Sequence, residues 1–403
     1  MDRLPWLTIV GLGEDGPDGL TPASRDALAR ADLVTGAARH LALLTGLEVE
    51  VMAWAVPFAE GIAPLLAHRG RRVVMLASGD PFWFGAGTVL ARLLEPGEWT
   101  ALPAPSSFSL AAARLGWPLE TTACLGLHAA PLTRLRPHLV PGARALVLLR
   151  DGAAVAELAR LLDDLGFGDS RLHVLESLGG PRERLRHAPA GGFDLPDIAH
   201  PVAVGLEVAG QGVAMPCVAG LPDDLFVHDG QITKRPVRAL ALSALAPRPG
   251  ERLWDIGAGS GSVGIEWLLA HPSLQAVAFE ADPARAARAR ANAAALGVDR
   301  LRVIEGRAPE ILPQIGPEHP APDAVFIGGG LSAPLLTRRW AGLRPGTRLV
   351  AHAVTLESES LLAAWHALKG GSLLRVELAE AGPLGSRRAW RAALPVVQWS
   401  VSL

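Results

Sequence analysis

Trp254-Asp255-Ile256-Gly257-Ala258-Gly259-Ser260-Gly261-Ser262-Val263-Gly264-Ile265-Glu266 decides the fold class of this chain. An apolar run ends in an acid, and an alternating glycine loop then opens a helical stretch. That is the strand, loop and helix order of a nucleotide-binding α/β unit. Glycines in such a loop let the backbone turn tightly and let a ligand approach where a Cβ would collide, while the first N–H groups of the helix stay free to donate. Gly259 to Gly264 also satisfies G-x-G-x-x-G, which alone discriminates weakly between ligands.

The acids around the loop discriminate better. A carboxylate at Asp255, two residues before the first glycine, sits poorly beside a pyrophosphate and suits the α-ammonium of a methionine moiety, as in S-adenosylmethionine (SAM). Gln275 to Phe279 reads as the next strand and ends at Glu280, placed to accept from both hydroxyls of a ribose. Asp282 is then expected to cap a helix with Pro283 in its first turn and Gly297 beyond its end. Glycines serving only as turn formers would leave Asp255 and Glu280 unexplained.

The 403 residues exceed one ordinary compact core and favour two or three domains, and a hydrophobic content of 49% is ample for burial. A formal net charge of −2 without a long Lys/Arg run argues against a nucleic-acid or membrane-surface binder. With only Cys124 and Cys217 there is no disulfide framework and no CxxC metal signature, which fits a reducing, cytoplasmic setting. No apolar run has the layout of a signal peptide or the length of a membrane span.

Two separate α/β patterns follow one another. In the first, Leu7 to Val10 reads as a buried strand entering the turn Gly11-Leu12-Gly13-Glu14-Asp15-Gly16, followed by a helix from Pro22. Strands are expected at 72–77, 145–149, 171–176 and 201–207, a helix at 153–165, and a loop over 178–197. Residues 205–235 loosen into Gly, Pro and Asp, and the domain joint belongs there. The resulting division is an N-terminal domain over 1–210, a linker over 211–235 and a Rossmann-like domain over 236–403. The second pattern predicts a helix at 236–245, strands at 302–305 and 323–327, and a mostly parallel sheet covered on both faces. Its last strands, 373–379 and 396–401, lack a helix between them and are expected to pair antiparallel at the sheet edge.

The C-terminal half resembles the decarboxylating C15-methyltransferases of corrin biosynthesis (CbiT type). The likeness lies in Gly-Leu-Pro-Asp-Asp-Leu-Phe at 220–226, Ile232-Thr233-Lys234, the glycine loop, Phe326-Ile327-Gly328-Gly329, Ala353-Val354-Thr355-Leu356-Glu357 and Pro383-Leu384-Gly385. The N-terminal half resembles tetrapyrrole methylases of the CbiE type, through Ile-Val-Gly-Leu-Gly at 9–13, Ala-Ser-Gly-Asp-Pro-Phe-Trp-Phe-Gly at 77–85 and Pro-Ala-Pro-Ser-Ser-Phe-Ser-Leu at 103–110. A fusion in this order resembles the CobL-type precorrin-6Y C5,15-methyltransferases (decarboxylating). Three positions depart from the pattern: Glu14-Asp15-Gly16 where Pro-Gly is frequent, Arg307 where an acid is expected, and His352 where Asn is common.

The resemblance implies two α/β subdomains in the N-terminal domain, a precorrin substrate, and SAM at two sites per chain. One site takes Thr233, Asp255, Gly257, Ala258, Gly259, Ser260, Gly261, Glu280 and Ala308; the other takes Gly79, Asp80, Ser106 and Ser107. For Thr233 a helix N-cap role is the structural alternative, and for Asp80 a turn before Pro81. His352 and Glu357 are candidates for proton handling, and Arg338, Arg339, Arg387 and Arg388 for substrate carboxylates, with one solvated member expected in each arginine pair. No metal is expected, and a homo-oligomer is. The competing reading is a SAM-dependent RNA or small-molecule methyltransferase fused to an unrelated α/β domain. It is weakened because Asp323-Ala324-Val325-Phe326-Ile327-Gly328 is not followed by the Asp-Pro-Pro-Tyr type of cluster used on nucleobase amines.

Overall fold

The computed structural model describes residues 5–312 and 320–403. The chain forms two compact units, one from residues up to 132 with 138–213, the other from 133–137 with 214–403.

The first unit holds two sheets. Strands β1 (Leu7–Leu12), β2 (Leu33–Gly36), β3 (Glu50–Ala53), β4 (Val73–Ser78) and β5 (Trp99–Leu102) pair in parallel in the order β3-β2-β4-β1-β5. Being covered on both faces, β1 and β4 are almost wholly apolar and buried, as the sequence pattern requires. The second sheet contains β6 (Ala123–Gly126), β7 (Arg144–Leu149), β8 (Arg171–Glu176), β9 (Arg184–Pro189) and β10 (Val202–Glu207), ordered β6-β7-β10-β8-β9. The amphipathic helix Ala153–Asp164 buries Val155, Leu158, Ala159 and Leu162, and the chain turns away at Gly166 with φ +81°. Strand β9 corrects the expected loop at 178–197. It is an edge strand whose Arg184 and Arg186 pair with the buried Glu176 of β8, so it shows no hydrophobic alternation from which it could be read.

The second unit is built on a seven-stranded sheet. Strands β11 (Arg252–Ile256), β12 (Gln275–Glu280), β13 (Arg302–Glu305), β14 (Ala324–Ile327), β15 (Arg348–Ala353), β16 (Ser372–Val376) and β19 (Val396–Ser402) are ordered β13-β12-β11-β14-β15-β19-β16. The five from β13 to β15 are parallel; β19 and β16 are antiparallel, as expected. Alternate residues of β11 feed two cores, Leu253 on one face with Ile265 and Trp267, and Trp254 and Ile256 on the other with Phe279 and Trp399. The strand expected at 373–379 in fact stops at Val376. From Ala379 the chain forms a separate hairpin, β17 (Ala379–Leu384) and β18 (Arg387–Ala392), turning at Gly385-Ser386 with Gly385 at φ +57°.

Residues 214–235 are part of the second unit, since Met215, Leu221 and Phe226 enter its core. The segment is fastened by a buried ion pair. Arg238, in the helix Arg235–Leu245, is fully buried and donates from Nε to Glu266 Oε1 at 2.5 Å. The same carboxylate accepts from the Gly220 and Leu221 N–H groups at 2.6 and 2.9 Å. Arg238 also reaches Asp223 Oδ1 at 2.9 Å and the carbonyls of Thr233 and Leu221. Four of the five guanidinium N–H groups and both oxygens of Glu266 are thereby paired, which is the condition under which a buried pair is tolerated. Glu266→Gln removes the countercharge at nearly constant volume and is expected to destabilise the second unit by about 3–5 kcal/mol. Calorimetry of the full chain checks this, and an unmoved upper and lower transition would show the pair to be dispensable.

Candidate functional sites

In the second unit the glycine loop leaves the carboxyl end of β11 at the centre of the sheet, where β11 is flanked by β12 and β14. Gly257, Gly259 and Gly261 all adopt positive φ, at +70°, +57° and +78°. A Cβ at Gly257 would stand 2.6 Å from the backbone of Gly329, so two glycine loops cross here in direct contact. The Gly328 N–H donates to the Ile256 carbonyl at 2.9 Å and holds that crossing.

Asp255 is 1% exposed. Its Oδ2 accepts from the Gly264 N–H at 2.9 Å, so a strand carboxylate caps the helix Ser262–Leu269, whose own N-cap residue Gly261 has no side chain to do so. Its Oδ1 has no hydrogen-bond partner, and neither does the buried Ser260 Oγ. Burial, reinforced by the neighbouring Glu280 charge and only partly offset by the Gly264 N–H, pushes the Asp255 carboxyl up to about 7. An unfilled acceptor and an unpaired buried carboxylate fit the ammonium of a methionine moiety, whose charge would relieve both.

Glu280 ends β12 with Oε2 accepting from the Gly259 N–H at 2.7 Å and Oε1 from the Asp282 N–H at 2.9 Å. The backbone thus fixes the orientation of a carboxylate that keeps further lone pairs for hydroxyl donors. Asp282 caps the helix Pro283–Ala295 as expected, Oδ1 accepting from Ala284 and Arg285. The Gly306 N–H donates to the Glu280 carbonyl at 2.9 Å, which brings the Gly306–Ala308 turn to the same edge. Asp255, Gly257 to Gly261, Glu280 and Ala308 therefore share one end of the sheet.

The remaining candidates of this unit are placed differently. Thr233 does not cap the following helix; Lys234 stands at that position, and the Thr233 carbonyl receives Arg238. His352 lies at the carboxyl end of β15, buried edge-on against Phe326, with Nε2 2.9 Å from Gln398 Oε1. Burial lowers its pKa, so the ring is a neutral donor to that amide oxygen. Glu357 is exposed in the first turn of the helix Leu356–Lys369, where an acid favours the helix dipole. Arg339 is half-buried over the Trp254 ring, 5.4 Å from its centroid, while Arg338 is exposed. Trp254 stands three residues before Gly257, roughly 10 Å back along the strand, so Arg339 covers a sheet face. Arg387 and Arg388 are exposed on the β17–β18 hairpin. Sequence reading missed Asn292, whose side chain bonds the Val227 N–H and carbonyl and the Ser260 carbonyl, all at 2.9 Å. Its position on the buried stripe of the capped helix was the available signal.

In the first unit the carboxyl ends of β4, β1 and β5 lie side by side. The Gly79 N–H donates to the Leu12 carbonyl at 3.0 Å, and its carbonyl accepts from the Ala104 N–H at 3.1 Å. A side chain at Gly11 would collide with that same carbonyl and with Ala104. Asp80 Oδ1 accepts from the Phe82 N–H at 2.8 Å, which is the turn role. Ser106 is buried and caps the helix Ser107–Leu115, its Oγ accepting from the Ser109 N–H at 3.0 Å. Among the described residues there is no cluster of three metal-ligating side chains and no helix long and apolar enough to cross a membrane.

Both halves match methyltransferase families. The family model for tetrapyrrole (corrin/porphyrin) methylases matches residues 6–194, and that for the precorrin methyltransferase domain matches residues 224–403. A precorrin-6Y C(5,15)-methyltransferase [decarboxylating] of Sinorhizobium sp is 51% identical over 401 residues, covering 98% of this chain and 96% of that protein. One from Mycobacterium tuberculosis (strain ATCC 25618 / H37Rv) is 41% identical over 98% and 99%. The crystal structure of the C-terminal domain of precorrin-6Y C5,15-methyltransferase from Rhodobacter capsulatus covers 47% of this chain and all of its own, with 51% identity and a TM-score of 0.45. The class is therefore that of a fusion of two methyltransferase domains, for which SAM is the methyl source. The chain belongs to the family of precorrin-6Y C5,15-methyltransferases (decarboxylating).

Asp255 makes a pH test possible. The native state keeps this proton to about pH 7, whereas an unfolded Asp releases it near 4. The native state thus binds more protons in that interval, and the ligand-free protein loses stability as pH rises from about 4 to about 7, each unit being worth ~1.4 kcal/mol. Asp255→Asn cannot ionise, so its urea midpoint should exceed that of the wild type by more at pH 8 than at pH 5. An equal difference at both pH values would contradict the buried-proton account.

Proposed function

We infer that this chain methylates a precorrin at C5 and C15 and decarboxylates its ring-C acetate, using SAM, in cobalamin biosynthesis. The observation that carries this is the conjunction of two unlike glycine-built backbone crossings, one in each unit, with whole-length similarity to enzymes of that name. The first unit takes the C5 transfer and the second takes the C15 transfer with decarboxylation, each at its own SAM site.

When bound, SAM supplies an electrophilic methyl group, so the protein has mainly to position its two reactants. In the second unit Asp255 would hold the ammonium, Glu280 the ribose hydroxyls, the Gly257–Gly261 backbone the remainder of the methionine moiety, and Ala308 the edge of the base. In the first unit Gly79, Asp80, Ser106 and Ser107 frame the corresponding site. For decarboxylation the conjugated macrocycle accepts the electrons left behind, and the protein's share is a dry pocket that orients the carboxylate. The neutral His352, buried beside Phe326 at that edge, is a candidate for moving a proton; Glu357 is the second.

Isothermal titration of the full chain with SAM is expected to show two sites. Asp255→Asn or Glu280→Gln should weaken one of them roughly ten- to hundredfold, the value of a charge-assisted hydrogen bond, and leave the other intact. A single site in the wild type, or two unchanged sites in both variants, would overturn the assignment.

Separate transfers give a second test. Gly79→Leu forces a side chain to within about 3 Å of Pro105 at φ +51° and should yield a decarboxylated product with one new methyl. Gly257→Leu, facing Gly329, should yield a product that keeps its carboxylate. Mass spectrometry of the products reads both; loss of both transfers in a folded variant whose other site still binds SAM would replace independence by strict ordering.

A further inference from the structure

Strands β1, β2 and β4 deliver a second set of polar groups to the carboxyl edge of the first unit's parallel sheet, immediately beside Gly79. Glu14 follows β1 and is 8% exposed. One of its oxygens pairs with Arg39, which follows β2, and the other lies 3.6 Å from Arg182 Nη2, in the loop after β8. Gly180 lets that loop close on Glu14, because a Cβ there would stand 2.6 Å from Glu14 Cβ. Arg39 Nη2 donates to Ser78 Oγ at 2.9 Å and lies 2.9 Å from His40 Nε2, which is itself 2.9 Å from Ser78 Oγ. Ser78 ends β4 and is exposed.

The charge balance of this cluster is uneven. Burial first, and then the Arg39 charge, pull His40 down to about 4, so it is a neutral acceptor at physiological pH. The pKa of His200 is lowered as well, by partial desolvation and the Arg39 charge, against the smaller opposing fields of Glu14 and Asp151. Two guanidinium groups therefore face one carboxylate, and one positive charge remains. A structural ion pair needs Glu14 and Arg39 only. It accounts neither for a second arginine brought from another sheet nor for an arginine turned onto a solvent-facing hydroxyl next to Gly79. The side chains of Arg39 and Arg182 are 30% and 72% exposed, so both have N–H groups open to solvent.

We propose that Arg39 and Arg182 form the subsite of the first unit that binds a carboxylate on the rim of the tetrapyrrole, with Glu14 and His40 as positioning residues. The proposal rests on the reading that this unit methylates a precorrin, a macrocycle bearing several carboxylates. Glu14 and His40 hold Arg39 in one orientation before substrate arrives, and its remaining N–H groups then meet the carboxylate without further ordering. Arg182, the more exposed, closes on the same group from the opposite side.

The test uses the full chain, saturating SAM, and a late precorrin either as its free acid or as its methyl ester, with C5 methylation read by product mass. Arg39→Gln, and separately the surface variant Arg182→Gln, are expected to raise KM for the free acid about ten- to hundredfold with little change in kcat or in SAM affinity. The wild type should discriminate against the ester, and both variants should lose most of that discrimination. Unchanged KM in both variants overturns the subsite, as does a fall in SAM affinity that accounts for the whole effect. A wild-type chain that transfers no methyl at C5 overturns the underlying reading instead, and the subsite with it.

Discussion

The glycine-loop edge of the second unit depends on one buried carboxylate, that of Glu266. With Arg238 it fastens the stretch 220–223 beneath the helix Arg235–Leu245, and the chain from there to Thr233 is carried across the glycine loop. The loop's contacts show where it passes. The Gln231 carbonyl is the nearest atom to a side chain that would be added at Gly259, 3.7 Å away, and Asn292 ties Val227 to the Ser260 carbonyl. Asp229 pairs with Arg285 and Arg288 of the capped helix. A buried ion pair is a poor source of stability compared with apolar packing. Its use here is geometric, since it fixes an otherwise irregular segment over a loop that must itself stay irregular.

The same edge carries an unsatisfied group by construction. Asp255 caps its helix with one oxygen and leaves the other without a donor in a site too buried to solvate it. An unfilled acceptor of this kind costs about 1–3 kcal/mol. A positive charge placed beside that oxygen would recover this cost. Glu280 is arranged otherwise. Both its oxygens are already oriented by backbone N–H groups, so it offers a preset acceptor rather than a need.

What the sequence revealed follows the strength of the local signal. The helix Ala153–Asp164 was legible because burial on a fixed face imposes a period, strand β13 because its short apolar pair Val303-Ile304 packs on the two cores flanking the sheet, and the Asp282 cap because its chemistry is local. Strand β9 was illegible because an edge strand answering a buried Glu176 is written in arginines. The β17–β18 hairpin carried a Gly-Ser turn signal that the reading passed over. Residues 211–235 look like a linker in composition, yet Leu221 and Phe226 are core residues. They share a core with residues as far along the chain as Phe326 and Val350, and no local pattern reports contacts of that range. At the candidate site, the gathering of the loop glycines and acids at one sheet edge was legible; the capping by Asp255, the bridge through Asn292 and the stacking of Arg339 on Trp254 are tertiary facts.

The glycines themselves acquire a second reason. In sequence they speak of a ligand that must come close to the backbone. In the structure the space that a Cβ would fill at Gly11 is taken by Gly79 and Ala104, and at Gly257 by Gly329. In each unit the loop at the sheet's carboxyl end is pressed against the loop of a neighbouring strand, main chain on main chain. That contact brings donors and acceptors of two strands within reach of a single ligand, which neither loop could achieve across an intervening side chain. The two units share no motif, so the likeness lies in the constraint: a parallel sheet gathers its loop ends at one edge, and only residues without side chains let those ends touch.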